Sequence, residues 1–314
     1  MTSVRSNILD TIGNTSILQL RNVIPSNGVR ILLKIESSNP TGSMKDRMAL
    51  AMITAAEDDG RLKPGGAVVE YTGGSTGVSL ALVCSVKRHP LHVVTSDAFA
   101  KEKLSHMRLL GAKLTVIPSD NGKQTEKLTK DMIREAHALA ERTGAYITAQ
   151  MDNTDQLYAY TKLADELYEQ TNGQIDVFVQ SVGSGACLRG VSERLRQRNS
   201  KIRFVAVEPA ESAVLSGGPS GSHNIDGVGA GYVVPLWKDG IADEFQGVST
   251  ADARAMAFRL AHEEGLFCGL STGANVTAAL RVAESLKPGS TVVAIMCDSG
   301  MKYMTSFSQQ FESD

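Results

Sequence analysis

Nowhere in its 314 residues does the chain run to the ~18 uninterrupted apolar residues that a membrane-spanning helix needs. The opening residues, MTSVRSNILDTIGNT, contain no apolar core of a secretory signal, so the chain reads as soluble and cytoplasmic. Excess charge of one sign is missing as well. A formal charge of -2 gives neither nucleic acid nor an anionic membrane a reason to bind. Cysteine is scarce and scattered: Cys84, Cys187, Cys268 and Cys297 form no CxxC, the six histidines do not cluster, and there is no HExxH. No metal site is expected from such spacing. Cys84 and Cys268 read as small buried thiols. There is no GxxxxGK[ST], and Gly183-x-Gly185 does not complete GxGxxG because Leu188 stands at the third glycine, which argues against a dinucleotide site. Internal repeats and low-complexity linkers are absent too.

What is present is an ordinary globular composition, 42% hydrophobic and 21% charged, in a chain long enough to bury two cores. Residues 67–71, 91–95 and 113–118 read as short buried strands, and 78–87, 101–110, 125–142 and 155–169 as helices. A second series follows, with strands at 175–180, 203–207 and 291–296 and helices at 188–198, 250–264 and 275–286. Regular alternation of this kind predicts an α/β protein with mainly parallel sheets covered on both faces. The expected division is into two three-layer α/β domains, a smaller one at 38–148 and a larger one made of 1–37 and 149–314. Ligands are expected at the carboxyl ends of the strands. Three strand-to-helix turns, at 73–77, 183–185 and 269–273, are richer in glycine than sheet packing requires. Such turns aim backbone N–H groups and a helix N-terminus at an anion.

The segment Asn39-Pro40-Thr41-Gly42-Ser43-Met44-Lys45-Asp46-Arg47 joins an extended apolar run, 29–35, to an amphipathic segment, 48–56. Asn39-Pro40 and Thr41-Gly42 carry turn chemistry, and Ser43 is a candidate N-cap, which places Lys45 near a helix start. A lysine there sits in the positive end of the helix dipole, which favours loss of its proton and suits an amine that must attack a carbonyl. A salt bridge from Lys45 to Asp46 or a later carboxylate, on a solvated helix face, is the plain alternative.

This segment resembles NP-x-x-S-x-KDR of the cysteine synthase (O-acetylserine sulfhydrylase) family, pyridoxal-phosphate enzymes of fold type II, the tryptophan synthase β-like fold. Five other stretches match in the same order between Gly13 and Tyr303. The resemblance implies pyridoxal 5'-phosphate as cofactor and Lys45 as the residue that carries it and acts as base. Gly183-Ser184-Gly185-Ala186-Cys187 is similar to the family's phosphate cup, GTGGT. Thr72-Gly73-Gly74-Ser75-Thr76-Gly77 is similar to TSGNTG, which implies that Thr72, Gly73, Gly74 and Thr76 receive the substrate carboxylate and that Ser75 meets the ring's 3' oxygen. Gln150 matches a glutamine that also reaches the carboxylate. Ser271, in a stretch like GISSGA, would bond the pyridine nitrogen, and Gly227 falls in a loop like IQGIGAG.

Three departures stand out: Gly73 replaces a serine, Ser75 an asparagine, and Ala186-Cys187 a Gly-Thr pair. On that basis the double substitution Gly73→Ser with Ser75→Asn is expected to improve use of O-acetylserine. The implied reaction is β-replacement, in which acetate leaves O-acetyl-L-serine and sulfide adds to give L-cysteine. Alternatives are another β-replacement or elimination, as in a cystathionine β-synthase or a cysteine desulfhydrase, and a non-catalytic relative that binds pyridoxal phosphate. The implied partners are a small amino-acid substrate, a second copy of the chain in a homodimer, and the tail of serine acetyltransferase.

Overall fold

The computed structural model describes residues 4–122 and 125–311. In chain order its first elements are β1 (Ile17–Gln19), β2 (Arg30–Ile35), α1 (Lys45–Asp58), β3 (Val68–Tyr71), α2 (Ser75–Lys87), β4 (Leu91–Ser96) and α3 (Lys101–Leu109). Next come β5 (Lys113–Ile117), α4 (Glu126–Thr143), β6 (Tyr146–Ile147), α5 (Gln156–Gln170), β7 (Val177–Ser181) and α6 (Ala186–Arg198). The last are β8 (Arg203–Pro209), β9 (Glu244–Val248), α7 (Thr250–Glu264), α8 (Leu270–Ala283), β10 (Thr291–Met296) and α9 (Met304–Phe311). No helix among the described residues is long and apolar enough to cross a membrane.

Two compact units share these elements. The first comprises the described residues of Met1–Ile12, Asn39–Gln156 and Lys302–Asp314, and the second Gly13–Ser38 and Leu157–Met301. Residues 4–12 and 302–311 thus belong to the first unit, whereas the sequence reading assigned them to the larger domain.

The first unit is built on a four-stranded sheet in the order β5-β4-β3-β6, parallel throughout. On one face Val69 and Val94 pack with Leu128, Met132, Ala136 and Leu139 of α4. Helix α4 forms there because its apolar residues recur at helical spacing. The Thr125 hydroxyl accepts the Leu128 N–H at its start, and Gly144, at φ +67, closes it in the left-handed region. From β3 the chain steps outward to β4 and β5, while β6 lies on the other side of β3. The reversal between β3 and β6 is a topological switch point, where open α/β sheets bind ligands.

The second unit holds a six-stranded sheet, β1-β2-β10-β7-β8-β9, in which only β1 runs antiparallel to its neighbour. Every residue of the central strands β7 and β10 is buried, as expected for parallel strands covered on both faces. Helix α8 is buried along most of its length and lies so close on α7 that a Cβ added at Gly273 would stand 2.0 Å from the Ala253 carbonyl oxygen. Gly273 therefore serves helix packing, and filling that space would cost about 1–3 kcal/mol of overpacking. β8 and β9 continue from β7 on one side, with β10 and β2 on the other, so this sheet reverses direction beside β7.

Candidate active site

Lys45 is the first residue of α1 and half-buried. The N-cap is Met44, already in helical conformation, and not Ser43. Ser43 still helps, because its hydroxyl accepts the Lys45 N–H at 3.2 Å. The turn before the helix is locked by Asp46. This buried carboxylate accepts the Thr41 N–H at 2.8 Å, the Thr41 hydroxyl at 2.5 Å and the Ser79 hydroxyl of α2 at 2.6 Å. Burial raises its pKa, and the hydroxyl bonds oppose that rise. With its carboxylate engaged in this way, Asp46 holds the Lys45 backbone against the start of α2; the solvated salt bridge open at the sequence level is not what Asp46 makes.

The loop Thr72–Gly77 leaves the carboxyl end of β3, and Gln150 follows β6, its neighbour at the switch point. The structure joins them directly, since the Thr76 hydroxyl donates to the Gln150 side-chain oxygen at 2.7 Å. Thr72 is buried, its hydroxyl accepts the Gly74 N–H at 3.2 Å, and its own N–H reaches the Val94 carbonyl at 3.0 Å. Ser75 and Thr76 are buried in the first turn of α2. Gly73 faces the ring of Phe99, with the nearest ring carbon 1.8 Å from where a Cβ would stand.

In the second unit Gly183, Ser184 and Gly185 lead from β7 into α6, with Ala186 and Cys187 buried in its first turn. Gly185 needs to be glycine, because φ is +84 at this helix start. Gly183 is backed by Gly227: a Cβ at 183 would lie 2.4 Å from the Gly227 carbonyl oxygen. The Gly229 N–H bonds the Val182 carbonyl at 3.0 Å, so the loop around Gly227 is fastened to the same turn. Ser271 is buried in the first turn of α8. That turn is tied to the end of β10, where the Thr272 hydroxyl accepts the Cys297 N–H at 3.1 Å and the Gly269 N–H reaches the Asp298 carbonyl at 3.3 Å. Burial pushes the thiols of Cys84 and Cys268 up to about 12, which leaves them unreactive.

Helices α4 and α7 open with a threonine or serine side-chain cap, whereas α2, α6 and α8 open on Gly74, Gly185 and Gly269 with no side-chain cap and no acid in the first turn. Uncapped starts behind glycine turns leave N–H groups for an anion. The α6 turn fits a phosphate best: it opens on Gly185 with no side-chain cap, and the buried Ser181 hydroxyl at the strand end has no hydrogen-bond partner.

A family model described as "Pyridoxal-phosphate dependent enzyme" matches residues 8–298. A cysteine synthase of Staphylococcus aureus is 36% identical over 303 residues, 96% of each chain. The chain belongs to the cysteine synthase family of pyridoxal-phosphate-dependent enzymes. Cysteine synthase B of Salmonella typhimurium is 36% identical over 94% of this chain and 93% of that protein. Among solved structures, O-acetyl serine sulfhydrylase isoform 3 from Entamoeba histolytica superposes with a TM-score of 0.90 at 36% identity, over 96% of this chain and 91% of that one. The fold is therefore fold type II, and the cofactor pyridoxal 5'-phosphate.

The sequence reading passed over three residues that shape the first unit's part of the site. Glu70 carried a signal, an acid inside an apolar strand. Phe99 and Gln156 carried none, since only the tertiary fold brings them to the loops.

Proposed function

We propose that this enzyme makes L-cysteine by β-replacement, from O-acetyl-L-serine and sulfide. The observation that carries the reading is the receptor at the switch point of the first unit. Thr76, in the first turn of α2, donates its hydroxyl to the Gln150 side-chain oxygen at 2.7 Å, which leaves the Gln150 amide N–H groups, beside the uncapped start of α2, for one small anion. An α-amino acid presents such a carboxylate. Likeness to cysteine synthases over nearly the full length supports the same conclusion.

When bound, pyridoxal phosphate supplies the electron sink that lets a Cα–H bond break and a β-substituent leave. Lys45 would hold the cofactor through its amine, and its Nζ would take the Cα proton. Gly183, Ser184, Gly185, Ala186 and Cys187 would hold the phosphate, largely through main-chain N–H groups. Ser271 would meet the ring nitrogen with a neutral hydroxyl, which does not compel that nitrogen to be protonated. Ser75 would face the ring's 3' oxygen, and Thr72, Gly73, Gly74 and Thr76 with Gln150 would receive the substrate carboxylate, with Gly227 lining the site.

A second reading is favoured by Phe99. Its ring, in place of a hydroxyl beside Gly73, alters the surroundings of the substrate loop and suits a different β-substituent or nucleophile. Incubation of the pure holoenzyme with O-acetylserine, O-phosphoserine, serine and cysteine, each with and without sulfide, separates the two. Cysteine formed fastest from O-acetylserine and sulfide supports the first reading, and sulfide released from cysteine with no net synthesis overturns it. The assembly proposed is a homodimer, which light scattering at micromolar concentration tests. A serine acetyltransferase tail peptide that competes with the amino-acid substrate would establish the further partner.

A further inference from the structure

Glu70 lies in β3 and is wholly buried. Its Oε1 accepts the Tyr71 N–H at 2.9 Å, while Oε2 accepts the Thr148 hydroxyl at 2.7 Å and the Gln150 N–H at 3.1 Å. One carboxylate thus gathers three donors from the two strands that border the switch point. The segment it grips needs holding, because Ala149, between Thr148 and Gln150, is left-handed at φ +46. From the other side Gln156 Nε2 donates to the Gln150 carbonyl at 2.5 Å and the Asn153 carbonyl at 2.7 Å, and Asn153 Nδ2 donates to the Thr148 carbonyl at 2.9 Å.

We propose that Glu70 is a positioning residue for the amino-acid substrate: its ionised carboxylate fastens Gln150 beside Thr76, and its protonation releases that segment. The inference rests on Gln150 being a receptor for the substrate carboxylate. A carboxylate is acceptor-only and satisfies all three donors. A protonated carboxyl must donate from one oxygen, and the two backbone N–H groups cannot reverse their role. The Thr148 hydroxyl can, having the Val69 carbonyl at 3.3 Å as another partner, so the Gln150 N–H on the same oxygen is the bond at risk. Burial pushes Glu70 up to about 7, within the working range of an enzyme, and the charge of Asp152 acts in the same direction. Val93 lies opposite on β4, the buried run Ser75–Cys84 of α2 has no ionised group, and α4 meets the sheet through Leu128, Met132, Ala136 and Leu139.

The test reads the amide directly. Hydrogen exchange of the peptide spanning 148–152, corrected for intrinsic rate, is followed from about pH 8 to about pH 6 in the wild type and in Glu70→Gln, with Thr148→Val as a milder second variant. Protection in the wild type should fall about tenfold on acidification, and Glu70→Gln should be low and flat, as expected for loss of a bond to a charged group. With the holoenzyme, KM for the amino-acid substrate should rise about tenfold in Glu70→Gln with kcat and the cofactor's absorption unchanged. Protection equal in both proteins at every pH, or a fall in kcat alone, overturns the proposal. Wild-type protein that turns over no amino acid would count against the proposed reaction instead, and the exchange result decides the part played by Glu70 independently.

Discussion

The phenyl ring of Phe99 fills the space beside Gly73, so that a side chain at 73 would begin 1.8 to 2.2 Å from three of its ring carbons. The loop is therefore not a serine loop that has lost a hydroxyl. It is a glycine loop whose side-chain volume belongs to another residue, one that also packs against the core around Val69 and α4. Restoring Ser at 73 cannot simply add a donor for the substrate, and the gain expected for Gly73→Ser with Ser75→Asn does not follow. Overpacking of this kind costs about 1–3 kcal/mol. Gly73→Ser should lower stability by that amount and depress turnover. Gly73→Ser with Phe99→Ala should lose less than the two single changes added together, with a coupling of about 1 kcal/mol or more between touching residues. Urea denaturation of the four proteins measures it, and strict additivity would show that the ring moves aside freely.

Lys45 heads α1 with its backbone N–H on Ser43 and with Asp46 anchoring the turn to Thr41 and Ser79. Lys45→Ala changes none of those anchors. The variant should fold, keep its thermal midpoint as apoprotein, and lose both turnover and the borohydride-reducible cofactor linkage. Peptide mapping after borohydride reduction of the wild type checks the assignment; label on any other lysine would move the catalytic amine elsewhere.

Cys187 is buried in the first turn of α6, where a thiol stands as a weak donor. Cys187→Thr keeps a side chain of similar size and supplies a hydroxyl. Cofactor affinity should tighten by about 1 kcal/mol, roughly fivefold, the usual worth of a neutral hydrogen bond. Titration of apoprotein with pyridoxal phosphate measures the change. An unchanged or weaker affinity would mean that the main-chain N–H groups already saturate the phosphate.

The parallel α/β architecture was legible because its central strands are short continuous apolar runs between helices of clear period. β9 was not, since Glu244–Val248 alternates half-buried with exposed residues at a sheet edge and holds a glycine, which reads as loop. β6 is only two residues long and owes its strand character to pairing with Val68 and Val69. The cap of α1 was misplaced by one residue because serine is the commoner cap, while here the helical turn already begins at Met44. Glycine patterns marked the three helix starts, yet they could not show that Gly273 is small for the sake of α7. They also could not show that Gly73 makes room for Phe99. Those reasons lie in contacts across the fold.

Glu70 sets function against stability. Its carboxyl holds a proton up to about 7 in the folded chain but ionises at its ordinary 4.5 when unfolded. Between those values the folded state carries the extra proton, so stability falls as pH rises through this window and levels off above it. The shift corresponds to a cost on the order of 3 kcal/mol at full ionisation, at about 1.4 kcal/mol per unit. The same ionised form is the one that grips Gln150. Glu70→Gln removes the titration and leaves a neutral side chain of equal size. Relative to wild type, the variant should therefore gain stability as pH is raised from about 5 to about 8, while its Gln150 segment stays loose. Urea denaturation at intervals across that range gives the difference directly. If it is constant with pH, or moves in favour of the wild type, Glu70 is already ionised throughout and its three donors outweigh its burial.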